Sequence, residues 1–271
     1  MPGKYLALLL LLMISRQGIS QSTSASFKDC DNVVHDKLTG AQNRSPTDCE
    51  VKYDLYVKNA FIEAFDKVVK FFPENNWQIN KVTDLTPLTG IPRMKLNDSW
   101  PSYYLDIGMN HDAPAYKKYV EEQSAQMNKT DVQMQEILKL GYEIHGATAI
   151  IIYGHINRNQ RQETVTFKGK HKILQVKGTD YVVQYPYAQA LSGGGVESAL
   201  VVTDVFLGSW KMAYKVQSDA SENLIAQPAY NKNGERLNIQ NISLRIECNP
   251  ELAEQVLKQI DFGKLKAILN M

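Results

Sequence analysis

Apolar residues recur at helical spacing in the first third of the chain. Phe61, Phe65, Val68 and Phe72 fall at positions i, i+4, i+7 and i+11, with polar residues between them. This spacing places the four side chains on one face of a helix, and Pro73 cannot continue that helix. The pattern therefore predicts an amphipathic helix that ends at about residue 72 and buries an aromatic stripe.

The last helix is predicted from the residues that begin it. Asn249 has a side chain that can cap a helix, Pro250 suits the first helical position, and Glu251 favours the positive end of the helix dipole. Asp112 is expected to cap a further helix, and Asp261 is expected to cap a short closing turn.

Extended patterns dominate the rest of the chain. Short runs of alternating or continuous apolar residues are bounded by Gly, Pro, Asn and Lys-rich turns, which is typical of antiparallel strands. The longest run, 198–207, is expected to be a central strand that extends through Trp210 towards Val216. The predicted strands cover residues 77–82, 103–107, 147–153, 163–167, 172–176, 181–185, 198–207 and 239–247.

Together these elements predict an α+β fold. We expect an antiparallel sheet of about five to seven strands, with N-terminal helices and a C-terminal helix packed on one face. Residues 51–271 are interpreted as a single domain, with a helical layer to about residue 141 and the sheet and C-terminal helix after it. Residues 21–50 are polar and are interpreted as an N-terminal arm, and residues 217–238 as a polar excursion.

Residues 1–20 have the pattern of an export signal. Lys4 provides a positive start, residues 5–14 form a short apolar run, and Gly18 and Ser20 supply the small residues that a signal peptidase requires. The apolar run would span about 15 Å as a helix, roughly half of a bilayer core. The sequence therefore predicts cleavage before Gln21, a secreted or periplasmic protein, and no transmembrane anchor after cleavage.

Charge argues against one class of partner. Loss of Lys4 and Arg16 with the signal leaves 28 basic and 29 acidic residues, a net charge of −1. A near-neutral protein lacks the long-range attraction with which nucleic-acid binders approach phosphates. We therefore expect no nucleic-acid partner.

Three cysteines would enter an oxidising compartment after export. Cys30 and Cys49 flank a polar stretch, and a bridge between them would close a loop and contribute roughly 3 kcal/mol by the chain-entropy model. Pairings that involve Cys248 are also compatible with the sequence. The interpretation favoured is a Cys30–Cys49 disulfide with Cys248 as a buried structural thiol.

Metal binding and cofactors have little support in the sequence. The five histidines are dispersed, and no two of them are brought within chelating distance by the predicted strands. His111 lies between Asp106 and Asp112 in the one compact cluster of potential ligands, which a helix cap and an exposed histidine explain equally well. We therefore expect neither a metal nor a cofactor.

Catalysis has three weak candidates. The chain contains no Gly-x-Ser-x-Gly elbow, and the Ser192–Gly195 run lacks the lysine of a phosphate loop. Asp204 is a carboxylate within the most apolar strand, where it needs a partner or shifts its pKa. His111 and Cys248 are the other two candidates for catalysis. For Asp204, a structural role in a salt bridge is preferred to a catalytic role.

Aromatic residues suggest a binding surface. Tyr181, Tyr185 and Tyr187 recur at even spacing and share one face of the predicted sheet, with Trp210 on a neighbouring extended segment. Such a face can stack on a sugar or line an apolar cleft, although tyrosines on a sheet also serve as ordinary packing.

Three functions are compatible with these observations. The first is a non-enzymatic exported protein that binds a small molecule, a glycan, a lipid or another protein. The second is an exported hydrolase with an atypical active site, and the third is a structural component of an envelope or surface assembly. The first is preferred because no catalytic constellation is evident.

Overall fold

Helix α1 spans Asp48–Phe71 in the computed structural model and begins inside the segment expected to be an arm. Thr47 and Glu50 form a capping box: Glu50 N donates to Thr47 Oγ1 at 3.3 Å, and Thr47 N donates to the Glu50 carboxylate at 2.9 Å. The structure describes residues 43–72, 74–87, 91–92, 103–127, 144–156, 164–167, 169–187, 200–216, 222–229 and 239–269. The expected signal, residues 1–20, and residues 21–42 of the arm lie outside these ranges.

Capping residues also define the C-terminal helices. Asn249 accepts a hydrogen bond from Leu252 N at 2.8 Å, and Asp261 accepts one from Lys264 N at 3.3 Å, so both predicted caps are confirmed. No helix in the described part of the chain combines the length and apolar character needed to cross a membrane. Three further helices are α2 (Pro114–Met127), α3 (Pro250–Gln259) and α4 (Phe262–Ala267), and residues 144–148 form one more helical turn.

Seven of the described strands form one antiparallel sheet, which confirms the predicted α+β class. Its order is β2-β4-β5-β12-β9-β8-β7, so β12, close to the C-terminus, lies between β5 and β9 at the centre. The strands are β2 (Trp77–Val82), β4 (Tyr103–Met109), β5 (Ala149–Ile156), β7 (Lys172–Leu174), β8 (Tyr181–Pro186), β9 (Val201–Gly208) and β12 (Asn241–Cys248).

A second sheet arises where the chain leaves β9. Gly208 has φ +84°, and a Cβ there would lie 2.5 Å from the Gln240 carbonyl oxygen, so glycine permits the sharp bend. The prediction of one strand from 198 towards 216 is therefore wrong, because the chain bends at Gly208 and β10 enters another sheet. That sheet has the order β10-β11-β6, and a two-stranded pair joins β1 and β3. Their bounds are β1 (Asn43–Arg44), β3 (Ile91–Pro92), β6 (Val165–Phe167), β10 (Trp210–Val216) and β11 (Glu222–Pro228).

One face of the main sheet packs against helices. The Tyr103 ring of β4 stacks on Phe61 and Phe65 of α1, with ring centroids 5.3 and 4.9 Å apart. Gly154 of β5 lets α1 approach closely, because a Cβ there would overlap the Phe61 ring. α3 and α4 extend the same core with Val256 and other buried residues.

The expected division into a helical layer up to about residue 141 and a later sheet is not what the described residues form. β2 and β4, which precede residue 141, are strands of the main sheet. Ala64 O of α1 accepts a hydrogen bond from Asp261 N at 2.9 Å, and Glu63 of α1 pairs with Lys264 at 2.8 Å. Both halves of the chain therefore contribute to both layers.

The opposite face of the main sheet is covered at one end by the small sheet. Phe167, Trp210 and Leu224 of the small sheet pack on Phe206 of β9 and Tyr185 of β8. On β4, β5 and β12 the same face carries partly exposed polar and aromatic side chains instead. This second region is the part of the fold where chemistry is concentrated.

Candidate functional site

Four strands align a row of polar and aromatic side chains across the centre of the main sheet. Tyr104 of β4 lies opposite Tyr153 of β5, Tyr153 lies opposite Arg245 of β12, and Arg245 lies opposite Asp204 of β9. Alternation along each strand places these residues on the face away from the helices, because their neighbours Leu105, Ile152, Leu244 and Val205 belong to the helix-packed core.

Arg245 is held by two partners at one end of this row. Its Nε donates to Asp204 Oδ1 at 3.1 Å, and its Nη2 donates to Asp204 Oδ2 at 3.4 Å and to the Tyr185 hydroxyl oxygen at 3.0 Å. The Tyr185 hydroxyl in turn donates to Asp204 Oδ2 at 3.0 Å. Two side chains, from β9 and β8, therefore fix the plane of the guanidinium.

The contacts among Arg245, Asp204 and Tyr185 fix the protonation states of Arg245 and Tyr185. Burial disfavours the charged guanidinium, but the charge and hydrogen bonds of Asp204, with smaller contributions from its other neighbours, together raise the pKa of Arg245. Burial, followed by the negative charge of Asp204, raises the pKa of the Tyr185 hydroxyl well above its usual range. Arg245 therefore stays charged and Tyr185 stays neutral and able to donate.

Arg245 also faces outward. Its side chain is 36 % exposed, whereas that of Asp204 is 6 % exposed. Nε and Nη2 carry all of its hydrogen bonds to the described residues, which leaves both N–H donors of Nη1 directed away from Asp204. The arginine is thus anchored on one side and presents donors on the other.

Glu247 lies two residues beyond Arg245 on the same face of β12. Desolvation raises the pKa of its carboxyl, while the positive charge of Arg245 opposes that rise. The side chain is partly exposed, and none of its hydrogen bonds or ion pairs involves another described residue. An acceptor therefore stands beside the outward donors of Arg245.

Two tyrosines and an aspartate occupy the other end of the row. The rings of Tyr104 and Tyr153 meet edge to face, with centroids 5.2 Å apart and planes at 62°. Asp106 accepts from the Tyr104 hydroxyl at 3.4 Å and from Asn80 Nδ2 at 3.1 Å, and Lys81 Nζ lies 5.1 Å from the Tyr104 ring centroid. We call Tyr104, Asp106, Tyr153, Arg245 and Glu247 together the polar patch.

A histidine lies within electrostatic reach of the polar patch. His145 belongs to a one-turn helix at residues 144–148 that leads into β5. Burial lowers the pKa of His145, and the negative charge of Asp106 partly opposes that shift. The imidazole is thus biased towards its neutral form.

The aromatic residues expected from the sequence fall into two groups. Tyr185 contacts the polar patch through Arg245, and Tyr187 lies near enough to Tyr153 to influence its pKa. Tyr181 lies opposite Phe206 and is 36 % exposed. Trp210 is a core residue, since it packs on Phe206 and its indole N–H donates to the Ile242 carbonyl at 3.2 Å.

The candidates for catalysis are not brought together. Asp204 is buried in its ion pair with Arg245, whereas His111 is exposed and stacks on Tyr116 with ring centroids 4.6 Å apart. Cys248 is fully buried, and burial raises the pKa of its thiol far above the usual value. Within the described ranges, no group of three or more His, Cys, Asp or Glu side chains could hold a metal ion.

The cysteines divide into bonded and free. Cys49, in the first turn of α1, is disulfide-bonded, and Cys248 is free. Cys30 lies outside the described residues, so its pairing with Cys49 stays a prediction.

The sequence carries one signal for the polar patch, which is an alternation along β12 and not a motif. Ser243, Arg245 and Glu247 alternate with Ile242, Leu244 and Ile246 along β12. Three polar residues on one face of a central strand are unusual when both faces of a sheet are covered. The alternation therefore indicated that this face is partly open.

No family model, curated protein or solved structure matches the chain. The chemistry of the polar patch is therefore the basis for assigning a function.

Proposed function

We propose that the protein is exported and binds a ligand on the polar patch without transforming it. The observation that carries this proposal is the anchored, outward-facing Arg245. Asp204 and Tyr185 hold its guanidinium through Nε and Nη2, Nη1 makes no hydrogen bond to a described residue, and Tyr153 lies opposite Arg245 on β5. Preorganised donors beside aromatic surface are the features with which proteins orient small ligands.

The state of the candidate nucleophiles and bases supports binding rather than catalysis. The Asp204 side chain is 6 % exposed and its carboxylate already accepts hydrogen bonds from Arg245 and Tyr185, so it is poorly placed to reach a substrate. The Cys248 thiol is buried and protonated, and only a thiolate is an effective nucleophile.

Two observations support export. Residues 1–20 have the three-part pattern of a cleaved signal, and Cys49 is disulfide-bonded, which is typical of proteins that mature in an oxidising compartment. Sequencing the N-terminus of protein recovered from the extracytoplasmic fraction should find Gln21. A mature protein that begins at Met1 and stays in the cytoplasm would contradict export.

Binding is tested by a thermal-shift screen of the protein against glycans, peptides, lipids and metal ions. Tyr153→Ala, which removes a ring of the polar patch, should abolish any shift that the wild-type protein shows. Tyr214→Ala is the matched control, because Tyr214 is 57 % exposed on β10, outside the polar patch. A ligand whose shift survives Tyr153→Ala would place the binding site elsewhere and overturn the proposal.

The hydrolase alternative is tested in parallel. Ester, peptide and glycoside substrates are incubated with the wild-type protein and with Asp204→Asn. Turnover by the wild-type protein that Asp204→Asn abolishes in a folded protein would overturn the non-enzymatic proposal. We expect no turnover in either sample.

A further inference from the structure

We infer that the ligand of the polar patch is an uncharged carbohydrate. This inference rests on the proposed function, because it names the ligand class for the same site. It follows from three properties of the polar patch: its adjacent charges of both signs, its pairing of donors with acceptors, and its position on interior strands.

Charges of both signs lie side by side on β12 and disfavour an ionic ligand. Arg245, which pairs with Asp204 at 3.1 Å, and Glu247 act on each other across two positions of the strand, and Asp106 adds negative charge near Tyr153. An anionic ligand at Nη1 would meet Glu247, and a cationic ligand at Glu247 would meet the guanidinium. A neutral ligand is repelled by neither group.

Hydrogen-bonding capacity matches hydroxyl groups. Nη1 of Arg245 offers two N–H donors in the fixed plane of the guanidinium, and the Glu247 carboxylate two residues away only accepts when ionised. A hydroxyl group both donates and accepts. Two neighbouring hydroxyls of one sugar ring therefore satisfy Arg245 and Glu247 at once.

The tyrosines supply the apolar part of the site. Tyr153 lies directly opposite Arg245, and its partly exposed ring meets that of Tyr104 edge to face. A pyranose ring has one face of C–H groups that packs on an aromatic ring while its hydroxyls point outward to polar groups. Tyrosine combines such a ring with a polar hydroxyl. Its side chain has only two χ angles, so it loses little conformational entropy when a ligand binds.

The position of the site on interior strands disfavours an extended peptide. Peptides that bind sheets usually add to an edge strand, where backbone N–H and C=O groups are unpaired. β4, β5 and β12 each pair with a strand on both sides, so their backbone groups are used within the sheet. Recognition on this face therefore depends on side chains, as sugar binding does.

The test is isothermal titration calorimetry of the protein, produced from the full chain, against three sets of probes. The first set contains neutral oligosaccharides of four to six glucose, mannose, galactose, xylose or N-acetylglucosamine residues. The second contains oligogalacturonates and chitosan oligomers, which carry negative and positive charge, and the third contains short peptides. We expect binding to at least one neutral oligosaccharide and to no charged one.

Variants connect the binding to the polar patch. Tyr153→Ala and Arg245→Lys should each lower the affinity for the oligosaccharide about ten-fold or more. The first removes the aromatic ring, and the second removes the planar Nη1 donors. Tyr214→Ala and Glu254→Gln are matched controls on an exposed tyrosine and an exposed, paired glutamate, and should change the affinity less than two-fold.

The outcomes separate this inference from the proposed function. Binding of charged oligosaccharides alone or of peptides alone, lost in Tyr153→Ala, would overturn the inference of an uncharged carbohydrate and keep the polar patch as a ligand site. Neutral oligosaccharide binding that neither Tyr153→Ala nor Arg245→Lys weakens would overturn the site itself. Folded protein that binds no probe of the first set would overturn the inference.

Discussion

Replacing Asp204 by Asn tests whether the ion pair with Arg245 organises the centre of the sheet. The substitution keeps the size of the side chain but removes its charge, and its new N–H₂ group faces donors of Arg245 or Tyr185. Breaking a fully buried pair costs about 3–5 kcal/mol, because the remaining charge is left without a partner. Arg245 is 36 % exposed and can recruit water, which lowers the expected loss in the free energy of unfolding to about 2 kcal/mol.

Urea unfolding followed by circular dichroism measures this loss. Asp66→Asn is a matched control, because Asp66 pairs with Lys70 at the shorter distance of 2.7 Å but on the exposed surface. Surface pairs contribute little, so the control should lose less than about 0.5 kcal/mol. A loss for Asp204→Asn no greater than that for Asp66→Asn would refute the reasoning, since burial would then not determine the strength of the pair.

The double variant Asp204→Leu with Arg245→Met separates stability from binding. Replacing both members of a buried pair with apolar residues of similar size is often neutral or stabilising. We expect the double variant to be more stable than Asp204→Asn and to bind no ligand on the polar patch. A double variant as unstable as Asp204→Asn would show that the pair itself stabilises the fold.

Three further predictions follow from buried groups. Because burial raises the pKa of Glu247, its ionisation opposes folding as the pH rises through that pKa. Glu247→Gln should therefore stabilise the protein at pH 7 and not below about pH 4. Urea titrations at both pH values check this, and an equal effect at both would contradict it. Ser243 is 3 % exposed, and its hydroxyl has no hydrogen-bond partner among the described residues. Ser243→Ala should therefore raise the free energy of unfolding by about 1 kcal/mol. A loss of stability in the same urea titration would show that the hydroxyl is bonded. Under denaturing conditions without reductant, iodoacetamide should label Cys248 alone. Peptide mapping should find Cys30 linked to Cys49. A label on Cys49 before reduction would contradict the disulfide.

Local signals were sufficient for most of the fold. The aromatic stripe of α1, the strand at 77–82 and the caps Asn249 and Asp261 are all specified within a few residues of sequence. Short-range periodicity and capping chemistry act in the same way wherever a segment lies in the fold. These elements were therefore predictable without knowledge of their neighbours.

The predictions failed at the start of α1, which a capping motif in a polar stretch determines, and at β11, which depends on contacts with distant strands. The Thr47 and Glu50 capping box identifies the start of α1, but it lies in a polar stretch that was interpreted as an arm. The expected polar excursion at 217–238 contains β11, which is stabilised by pairing with β10 and β6. Nothing local distinguishes such a strand from a loop until its partners are known.

The alternation along β12 indicates an open face, but the residues that meet on it depend on distant strands. The composition of the polar patch suggests why it exists. Tyr104, Tyr153 and Arg245 meet because β12 inserts between β5 and β9, an arrangement that alternation along each strand cannot reveal. A central strand that served packing alone would carry apolar residues at the positions of Arg245 and Glu247, since a half-buried charge opposes folding or contributes little to it. Burial raises the pKa of Glu247 and disfavours the charge of Arg245, so both charges are costly to the fold. That cost is understandable if the outward atoms of these side chains meet a ligand, which is the role that we propose for them.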